Sequence, residues 1–278
     1  MPTILKTLGM LALCYAAITA WVYFSQRRML YQPRHEIRIT PADAGLEYQD
    51  VHLTNELGTR IHGWWVPCEN ARFTLLFSHG NGGNVSHRVE SLRIFHDLGL
   101  SVLVYDYSGY GMSEGKPSET ATEADALAAW DWLTAEQDIA PQSVILLGRS
   151  LGGGVSAGLA KTLTKNGTSP AGLILESTFT SIPDMGALLY PWLPVRLLAK
   201  YRYETKADIA EVDIPILFAH SPEDDIIPYA LGIELFESYR GPKSFLELTG
   251  DHNTGFILSG EKYPQGIGKF LTGLEQGR

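Results

Sequence analysis

The feature that most constrains this chain is a short apolar run that ends in a sharp turn and continues as a helix. Residues 143–147 read Ser-Val-Ile-Leu-Leu, which is typical of a buried strand. Gly-Arg-Ser-Leu-Gly follows at residues 148–152, and a helical pattern begins near Leu151. This Gly-x-Ser-x-Gly spacing is typical of a strained strand-to-helix turn that projects its serine above a sheet. We therefore predict that Ser150 is a nucleophile.

The same stretch admits two other interpretations. Ser150 could be an ordinary helix N-cap. Residues 152–157 also fit the Gly-x-Gly-x-x-Ala of a dinucleotide-binding turn, with Glu176 at the end of the next strand as a ribose ligand. That turn needs its first glycine directly after the strand, where the chain has Gly148. In that register the third position is Ser150 instead of glycine, so we disfavour nucleotide binding.

Apolar strands alternate with helices from residue 73 onward, which predicts an α/β fold with a mostly parallel central sheet and helices on both faces. The strands are predicted at 73–78, 100–105, 143–147, 172–176, 214–219 and 245–248. The helix after the first of these strands presents one apolar face, formed by Val85, Val89, Leu92 and Phe95. A later helix begins at a predicted capping box, Thr120 to Glu123, and a last helix covers 263–275.

Two further segments extend this pattern. Residues 48–53 and 60–67 alternate partly, which predicts an antiparallel hairpin at the sheet edge with His52 and His62 facing outward. Residues 177–210 are too long for a simple crossover, have an apolar middle, and are divided by Pro183, Pro191 and Pro194. We interpret them as a small helical cap over the strand ends. The alternative is an ordinary crossover with extra helix.

An uncharged apolar stretch covers residues 7–24, after Lys6 and before Arg27 and Arg28. Its length is at the short end for a membrane span, which needs about 20 residues. A cleaved signal peptide is the alternative, but the small-residue cleavage pattern is poor. We predict an uncleaved membrane anchor over 1–28 and one catalytic domain over 29–278. The two arginines favour a cytoplasmic catalytic domain, but the amino-terminal charge opposes this, so the side stays open.

Composition excludes some classes of function. The formal net charge of −9 argues against a nucleic-acid partner, which would need basic clusters. The chain shows no Cys/His spacing typical of a metal site, so neither a metal nor another cofactor is predicted. Cys14 lies in the apolar stretch and Cys68 in the globular part, so no structural disulfide is expected.

A serine hydroxyl needs a base, and the base needs an orienting acid. Where a serine occupies this kind of turn, the acid and then the histidine follow it along the chain. The strand at 214–219 leads into Asp224 and Asp225, and the strand at 245–248 leads into His252. His252 is the only histidine after these carboxylates. We choose Asp224 as the acid, with Asp225 as the alternative.

The developing oxyanion needs two hydrogen-bond donors. The backbone N–H of Leu151, directly after the serine, is the first predicted donor. The second comes from the loop after the strand at 73–78, which reads His-Gly-Asn-Gly-Gly-Asn at 79–84. Small residues let this backbone approach the substrate carbonyl, and we choose the Asn81 N–H.

Taken together, these stretches resemble the α/β-hydrolase superfamily, and more narrowly the membrane-anchored bud-emergence-type serine hydrolases and the α/β-hydrolase-domain depalmitoylases. The matching stretches lie at 31–33, 79–84, 106–115, 148–153, 224–228 and 250–253. The resemblance implies an α/β-hydrolase fold, Ser150 as nucleophile, Asp224 as acid, His252 as base, and an N-terminal membrane anchor. Two positions depart from the pattern. Ser108 stands where the family usually has arginine, and Ser221 where it usually has glycine.

The predicted activity is hydrolysis of carboxylic ester or thioester bonds through an acyl-enzyme, of the esterase, lipase or acyl-thioesterase type. The anchor and the apolar cap favour a small-molecule or lipid-like acyl ester as substrate, and membrane lipid as the partner of the N-terminal helix. Two alternatives stay open. A serine peptidase or amidase would use the same three side chains, and a membrane-tethered binding protein could keep the fold without turnover.

Overall fold

The computed structural model describes residues 2–277, so Met1 and Arg278, the outer ends of the predicted anchor and domain, lie outside the described residues. The strands are β1 (Gln32–Pro33), β2 (Gln49–Thr54), β3 (Arg60–Val66), β4 (Phe73–Ser78), β5 (Gly82–Gly83), β6 (Leu100–Tyr105), β7 (Val144–Arg149), β8 (Gly172–Glu176), β9 (Ile216–His220) and β10 (Lys243–Glu247). The α-helices are α1 (Pro2–Leu30), α2 (Val89–Asp97), α3 (Glu119–Asp131), α4 (Leu151–Lys165), α5 (Ile182–Leu189), α6 (Val195–Leu198), α7 (Thr205–Ile209), α8 (Tyr229–Ser238), α9 (Gly255–Leu258) and α10 (Lys262–Gln276). Short 3-10 turns lie at Pro41–Ala44, Val85–Arg88 and Pro141–Ser143, and a π turn at Trp132–Glu136 extends α3.

Eight strands form the central sheet in the order β2-β3-β6-β4-β7-β8-β9-β10. The pairs β2–β3 and β3–β6 are antiparallel, and every other pair in this sheet is parallel. The hairpin predicted at the sheet edge is therefore confirmed. Because the carboxyl ends of parallel strands meet at one edge, the loops after β4, β7, β9 and β10 converge there. Strand β7 lies in the middle of the sheet and brings the Ser150 turn to the centre of this edge.

Helices cover both faces of the sheet, as the sequence predicts. Side chains on β4 point alternately to the two faces, so Leu76 joins one apolar core while Leu75 and Phe77 join the other. The first core includes buried side chains of α3, α4 and α8, and the second those of α2 and α10. Strands β4, β6 and β7 are buried on both faces, which explains their continuous apolar runs.

Two local predictions are wrong. His62 is fully buried, because the chain that follows β6 covers the face of β3 on which this side chain lies. Its Nε2 lies 2.8 Å from Asp50 Oδ1, and its backbone N–H donates to Ser113 Oγ at 2.9 Å. The N-cap of helix α3 lies two residues before the start of its predicted capping box. Ser118 is the N-cap and accepts the Ala121 N–H at 3.1 Å, which leaves Thr120 inside the helix. His52 is exposed, as predicted.

The N-terminal helix α1 is continuous, and residues 3–30 are long and apolar enough to cross a membrane. It packs against the segment 177–210, which contains the three short helices α5, α6 and α7 and is called the cap segment below. The Tyr15 hydroxyl donates to the Trp192 carbonyl at 3.0 Å. Gln26 donates to the Leu198 carbonyl at 2.7 Å and accepts the Lys200 N–H at 2.8 Å. The helix therefore lies along the cap segment instead of leaving the domain directly.

Candidate active site

Ser150 occupies the strained turn that the sequence predicts between β7 and α4. Its φ of 56° and ψ of −121° lie in a region that residues other than glycine rarely adopt. Gly148 and Gly152 are required by close backbone contacts. A Cβ at Gly152 would lie 1.9 Å from the Ser78 carbonyl oxygen, and one at Gly148 would lie 2.2 Å from the Gly152 oxygen. The spacing of the motif therefore follows from how closely the turn packs on β4.

A network of buried hydrogen bonds stabilises this turn. The Ser150 N–H donates to the Glu176 carbonyl at 2.9 Å, and Thr178 Oγ1 donates to the Ser150 carbonyl at 2.8 Å. The Arg149 guanidinium pairs with the Glu176 carboxylate at 2.6 Å, and Tyr263 donates to the same carboxylate at 2.6 Å. Burial would lower the pKa of Arg149, but its attraction to Glu176 raises that pKa above the usual value.

This network also decides against a dinucleotide-binding turn. Gly152, Gly153 and Gly154 lie inside helix α4 and form no phosphate-binding loop after the strand. Glu176 is buried and engaged by Arg149, so its carboxylate is not available to a ribose. The glycines serve helix packing, since a Cβ at Gly153 would lie 2.3 Å from Thr178 Oγ1.

The three side chains predicted to act together are in hydrogen-bonding order. His252 Nε2 lies 3.0 Å from Ser150 Oγ, and His252 Nδ1 lies 2.8 Å from Asp224 Oδ2. When Nδ1–H donates to the carboxylate, Nε2 carries the lone pair and can accept the serine proton. The turn after β7 thus presents the serine hydroxyl, the loop after β10 the imidazole, and the loop after β9 the carboxylate. The three groups form one hydrogen-bonded series.

Asp224 is the carboxylate that faces the imidazole. Its Oδ1 accepts the N–H groups of Ile226 and Ile227 at 3.0 and 2.7 Å, so its side chain is locked in the turn after β9. Burial would raise the pKa of Asp224, but the hydrogen bonds from His220 and His252 outweigh it and hold that pKa far below the usual value. Asp225 instead accepts the backbone N–H of His252 at 3.1 Å and does not reach the ring.

One residue near the site was missed by the sequence prediction. His220, the last residue of β9, is buried, and its Nε2 lies 3.3 Å from Asp224 Oδ2 and 3.0 Å from the Ile227 carbonyl oxygen. Gly232 leaves the space for its ring, because a Cβ there would lie 2.2 Å from His220 Nδ1. The position of His220 directly before the acidic turn was the sequence signal that could have indicated its contact with Asp224.

The loop after β4 lies beside Ser150. A Cβ built on Gly80 would lie 3.4 Å from the Ser150 Cβ. His79 Nδ1 donates to the Gly80 carbonyl at 2.7 Å, and the N–H of Asn81 points the opposite way because this peptide is trans. Among the hydrogen bonds within residues 2–277, neither the Asn81 N–H nor the Leu151 N–H has a partner. Both residues line the same cavity as Ser150.

That cavity has a volume of about 550 Å³ and two different walls. One wall is cationic and includes Arg34 and Arg88. Burial lowers the pKa of the Arg88 guanidinium to about 10 and leaves it charged at neutral pH. The other wall is apolar and includes Phe179, Ile182 and Met185 from the cap segment.

A second buried aspartate lies behind the loop after β4. Asp106 Oδ1 accepts the Val85 N–H at 2.9 Å and lies 3.5 Å from His79 Nε2, while its Oδ2 lies 3.8 Å from His62 Nδ1. Burial would raise the pKa of Asp106, but the two imidazoles and the Val85 N–H lower it. Burial would lower the pKa of His62, but Asp106 and Asp50 raise it.

Ser108 and Ser221, the two residues that depart from the family pattern, each form local hydrogen bonds. Ser108 donates its N–H and hydroxyl to the buried Asp125 at 2.7 and 2.9 Å. Burial nevertheless raises the pKa of Asp125 to about 6, although the hydrogen bonds from Ser108 and Asn55 oppose this shift. Ser221 accepts the Glu223 N–H at 3.1 Å and leaves the turn of Asp224 intact.

Comparison with known proteins assigns the family. The family model described as serine aminopeptidase, S33, matches residues 69–207, half of the chain. An uncharacterized protein of Mycobacterium tuberculosis is 35% identical over 271 residues, which cover 96% of this chain and 95% of that relative. The chain belongs to the α/β-hydrolase superfamily. The resemblance inferred from the sequence motifs is thereby confirmed.

Two further relatives and one solved structure are also similar to this chain. Protein bem46 of Schizosaccharomyces pombe is 29% identical over 96% of this chain and 93% of its own length. The lysophosphatidylserine lipase ABHD12 of Danio rerio is 33% identical over 78% of this chain and 64% of its own length. The esterase Pf2001 of Pyrococcus furiosus superposes with a TM-score of 0.70 and 19% identity, covering 87% of this chain and 97% of the esterase. The last likeness concerns the fold alone.

Proposed function

We propose that this protein is a membrane-anchored serine hydrolase that cleaves carboxylic ester or thioester bonds through Ser150, His252 and Asp224. The observation that carries the proposal is the pair of hydrogen bonds that joins these side chains, at 3.0 and 2.8 Å. The name of one relative, the lysophosphatidylserine lipase of Danio rerio, supports ester chemistry. No cofactor enters the proposed reaction.

In the proposed mechanism, His252 removes the Ser150 proton while the serine oxygen attacks the substrate carbonyl. The N–H groups of Asn81 and Leu151 stabilise the oxyanion, and the loss of one such donor typically costs about 3 kcal/mol of transition-state stabilisation. Asp224 stabilises the imidazolium, which then protonates the leaving alcohol or thiol. A water molecule activated by the same histidine releases the acid from the acyl-enzyme.

The membrane anchor is proposed from the exposed surface of α1. Its apolar side chains are open to solvent, among them Leu8, Leu11 and Leu13, each more than half exposed. A soluble protein rarely exposes a continuous apolar surface of this length. A bilayer around α1 would cover these side chains and place the cap segment next to lipid.

A serine peptidase or amidase is the second candidate. The description of the matching family model, a serine aminopeptidase, favours it. The same three side chains would serve both reactions, so the geometry of the triad does not separate them. Substrate profiling with matched esters and anilides separates the two activities, and we expect faster turnover of the esters.

The first test is labelling by a fluorophosphonate probe, which reacts with activated serines. We expect the full chain in detergent or vesicles to be labelled and Ser150→Ala to be unlabelled. Ser156→Ala is a matched control, because Ser156 is a buried serine of the same region whose hydroxyl has no hydrogen-bond partner in the part of the chain that the structure describes. Labelling that persists in Ser150→Ala, or a folded parent that is never labelled, would contradict the proposed nucleophile.

A further inference from the structure

A second cavity lies between α1 and the cap segment. It is an open groove of about 460 Å³. Trp21 and Val22 of α1 form one side, and Leu189, Trp192 and Leu193 of the cap segment form the other. Its volume is in the range typical of small-molecule sites. We call it the α1–cap groove.

The α1–cap groove continues the Ser150 cavity. Leu30, Ile182 and Met185 line both spaces, so these three side chains form the boundary between them. All three side chains are apolar. A hydrocarbon chain that extends from a carbonyl at Ser150 along these three side chains reaches the groove.

The chemistry of the groove selects an apolar occupant. No charged side chain among the described residues lines it. Its one amide side chain, Gln26, is already engaged by the Leu198 carbonyl and the Lys200 N–H. The groove thus offers apolar surface and few free polar groups, which fits a hydrocarbon chain and gives no site for a charged head group.

The groove also opens where a bilayer would lie. The Tyr15–Trp192 and Gln26–Leu198 hydrogen bonds join the cap segment to α1 at points separated by roughly 16 Å along the helix axis. Leu189 and Trp192 on its cap side are about half exposed, at 49% and 54%. Lipid packed around α1 would contact these side chains directly.

We propose that the α1–cap groove is the acyl-chain site, and that the acyl chain of the substrate enters it sideways from the bilayer with its carbonyl at Ser150. This proposal rests on the proposed ester hydrolase activity and names the part of the protein that selects its substrate. Each methylene group that leaves water for the groove raises kcat/KM by roughly fourfold, until the groove is filled.

The experiment compares p-nitrophenyl acetate, butyrate, hexanoate and octanoate as monomeric substrates of the full chain in detergent. The measured quantity is the octanoate-to-acetate ratio of kcat/KM. Met185→Trp fills the boundary between the two spaces, and Leu189→Trp fills the groove further from Ser150. Leu188→Trp is the matched control, because Leu188 lies on the same helix, is 56% exposed and lines neither space.

We expect the ratio in the parent to be well above one, and to fall by at least about tenfold in Met185→Trp and in Leu189→Trp. Leu188→Trp should keep the parent ratio. A flat profile in the parent, or the same ratio in all three variants, would overturn the acyl-chain site while ester turnover and fluorophosphonate labelling of Ser150 still stood. A folded parent with neither labelling nor turnover would remove the proposed function, and the acyl-chain site with it.

Discussion

Two buried aspartates in this protein each face two histidines, one on either side of Ser150. Asp224 lies 2.8 and 3.3 Å from its two imidazoles, whereas Asp106 lies 3.5 and 3.8 Å from those it faces. Both carboxyl groups have pKa values below the usual range, because their imidazole neighbours outweigh the effect of burial. Similar residues and similar electrostatics therefore occur in two different structural settings.

The difference lies in the second nitrogen of each imidazole. The far nitrogen of His252 reaches Ser150 Oγ across the cavity. In the Asp106 cluster, the far nitrogen of His79 donates to the Gly80 carbonyl and that of His62 contacts Asp50. An aspartate–histidine pair can act on a nucleophile only when the ring has a nitrogen left for it. We infer that the Asp106 cluster fixes the loop that carries Asn81.

The largest effect should come from His252→Ala. Among residues 2–277, His252 is the only residue whose side chain forms a hydrogen bond with the Ser150 hydroxyl, so without it we expect kcat for ester hydrolysis to fall by at least about 10⁴-fold. His52→Ala, at an exposed strand position, is the control and should match the parent. If His252→Ala retained even a hundredth of the parent rate, the proposal that only the Asp224 cluster acts on Ser150 would be contradicted.

Asp224→Asn should follow closely, with a loss of kcat on the order of 10³ to 10⁴. An amide cannot stabilise the imidazolium, and it favours the wrong tautomer of His252. Asp225→Asn tests the rejected alternative. An asparagine oxygen can still accept the His252 N–H, so its kcat should stay within about threefold of the parent. Steady-state kinetics of the two variants separate the acids, and equal losses would argue against our assignment.

His220→Ala should have an intermediate effect, because His220 orients Asp224 without touching the substrate. We expect kcat to fall by roughly tenfold to a hundredfold as the carboxylate gains freedom. His220→Gln places an amide N–H near the lost ring nitrogen and should restore most of the activity. Rescue by glutamine supports a positioning role, whereas equal loss in both variants would indicate that only the packing of the ring matters.

Asp106→Asn should have the smallest effect on kcat, less than about tenfold, but should lower the free energy of unfolding by about 3 kcal/mol at neutral pH. The folded pKa of Asp106 is depressed, so its stabilising contribution is present above the unfolded pKa of about 3.9 and disappears as the pH falls through the folded value. The difference in unfolding free energy between parent and variant, measured in denaturant, should therefore begin to shrink below about pH 4 and vanish below the folded pKa. A constant difference down to acidic pH would mean that the charge of Asp106 contributes nothing.

Much of the fold follows from local patterns in the sequence. Continuous apolar runs at β4, β6 and β8 indicated strands buried on both faces, and the structure gives them the predicted bounds. The alternation of exposed and buried positions could not predict the burial of His62, because that burial depends on a segment that is distant in the chain. The N-cap at Ser118 was missed because Ser118 and Thr120 lie two residues apart and both belong to residue types that cap helices.

The candidate site also combines features that the sequence predicts with features that only the structure shows. The sequence alone determined the strained turn at Ser150, since only small residues at Gly148 and Gly152 allow its backbone contacts, and it determined the order of acid and histidine along the chain. Only the tertiary structure showed that Asp224 and not Asp225 faces the His252 ring, because adjacent residues in a turn point in different directions. It alone also showed His220 behind the acid and the α1–cap groove beside the cavity. Both depend on side chains that meet across segments far apart in sequence, and no local pattern encodes such a meeting.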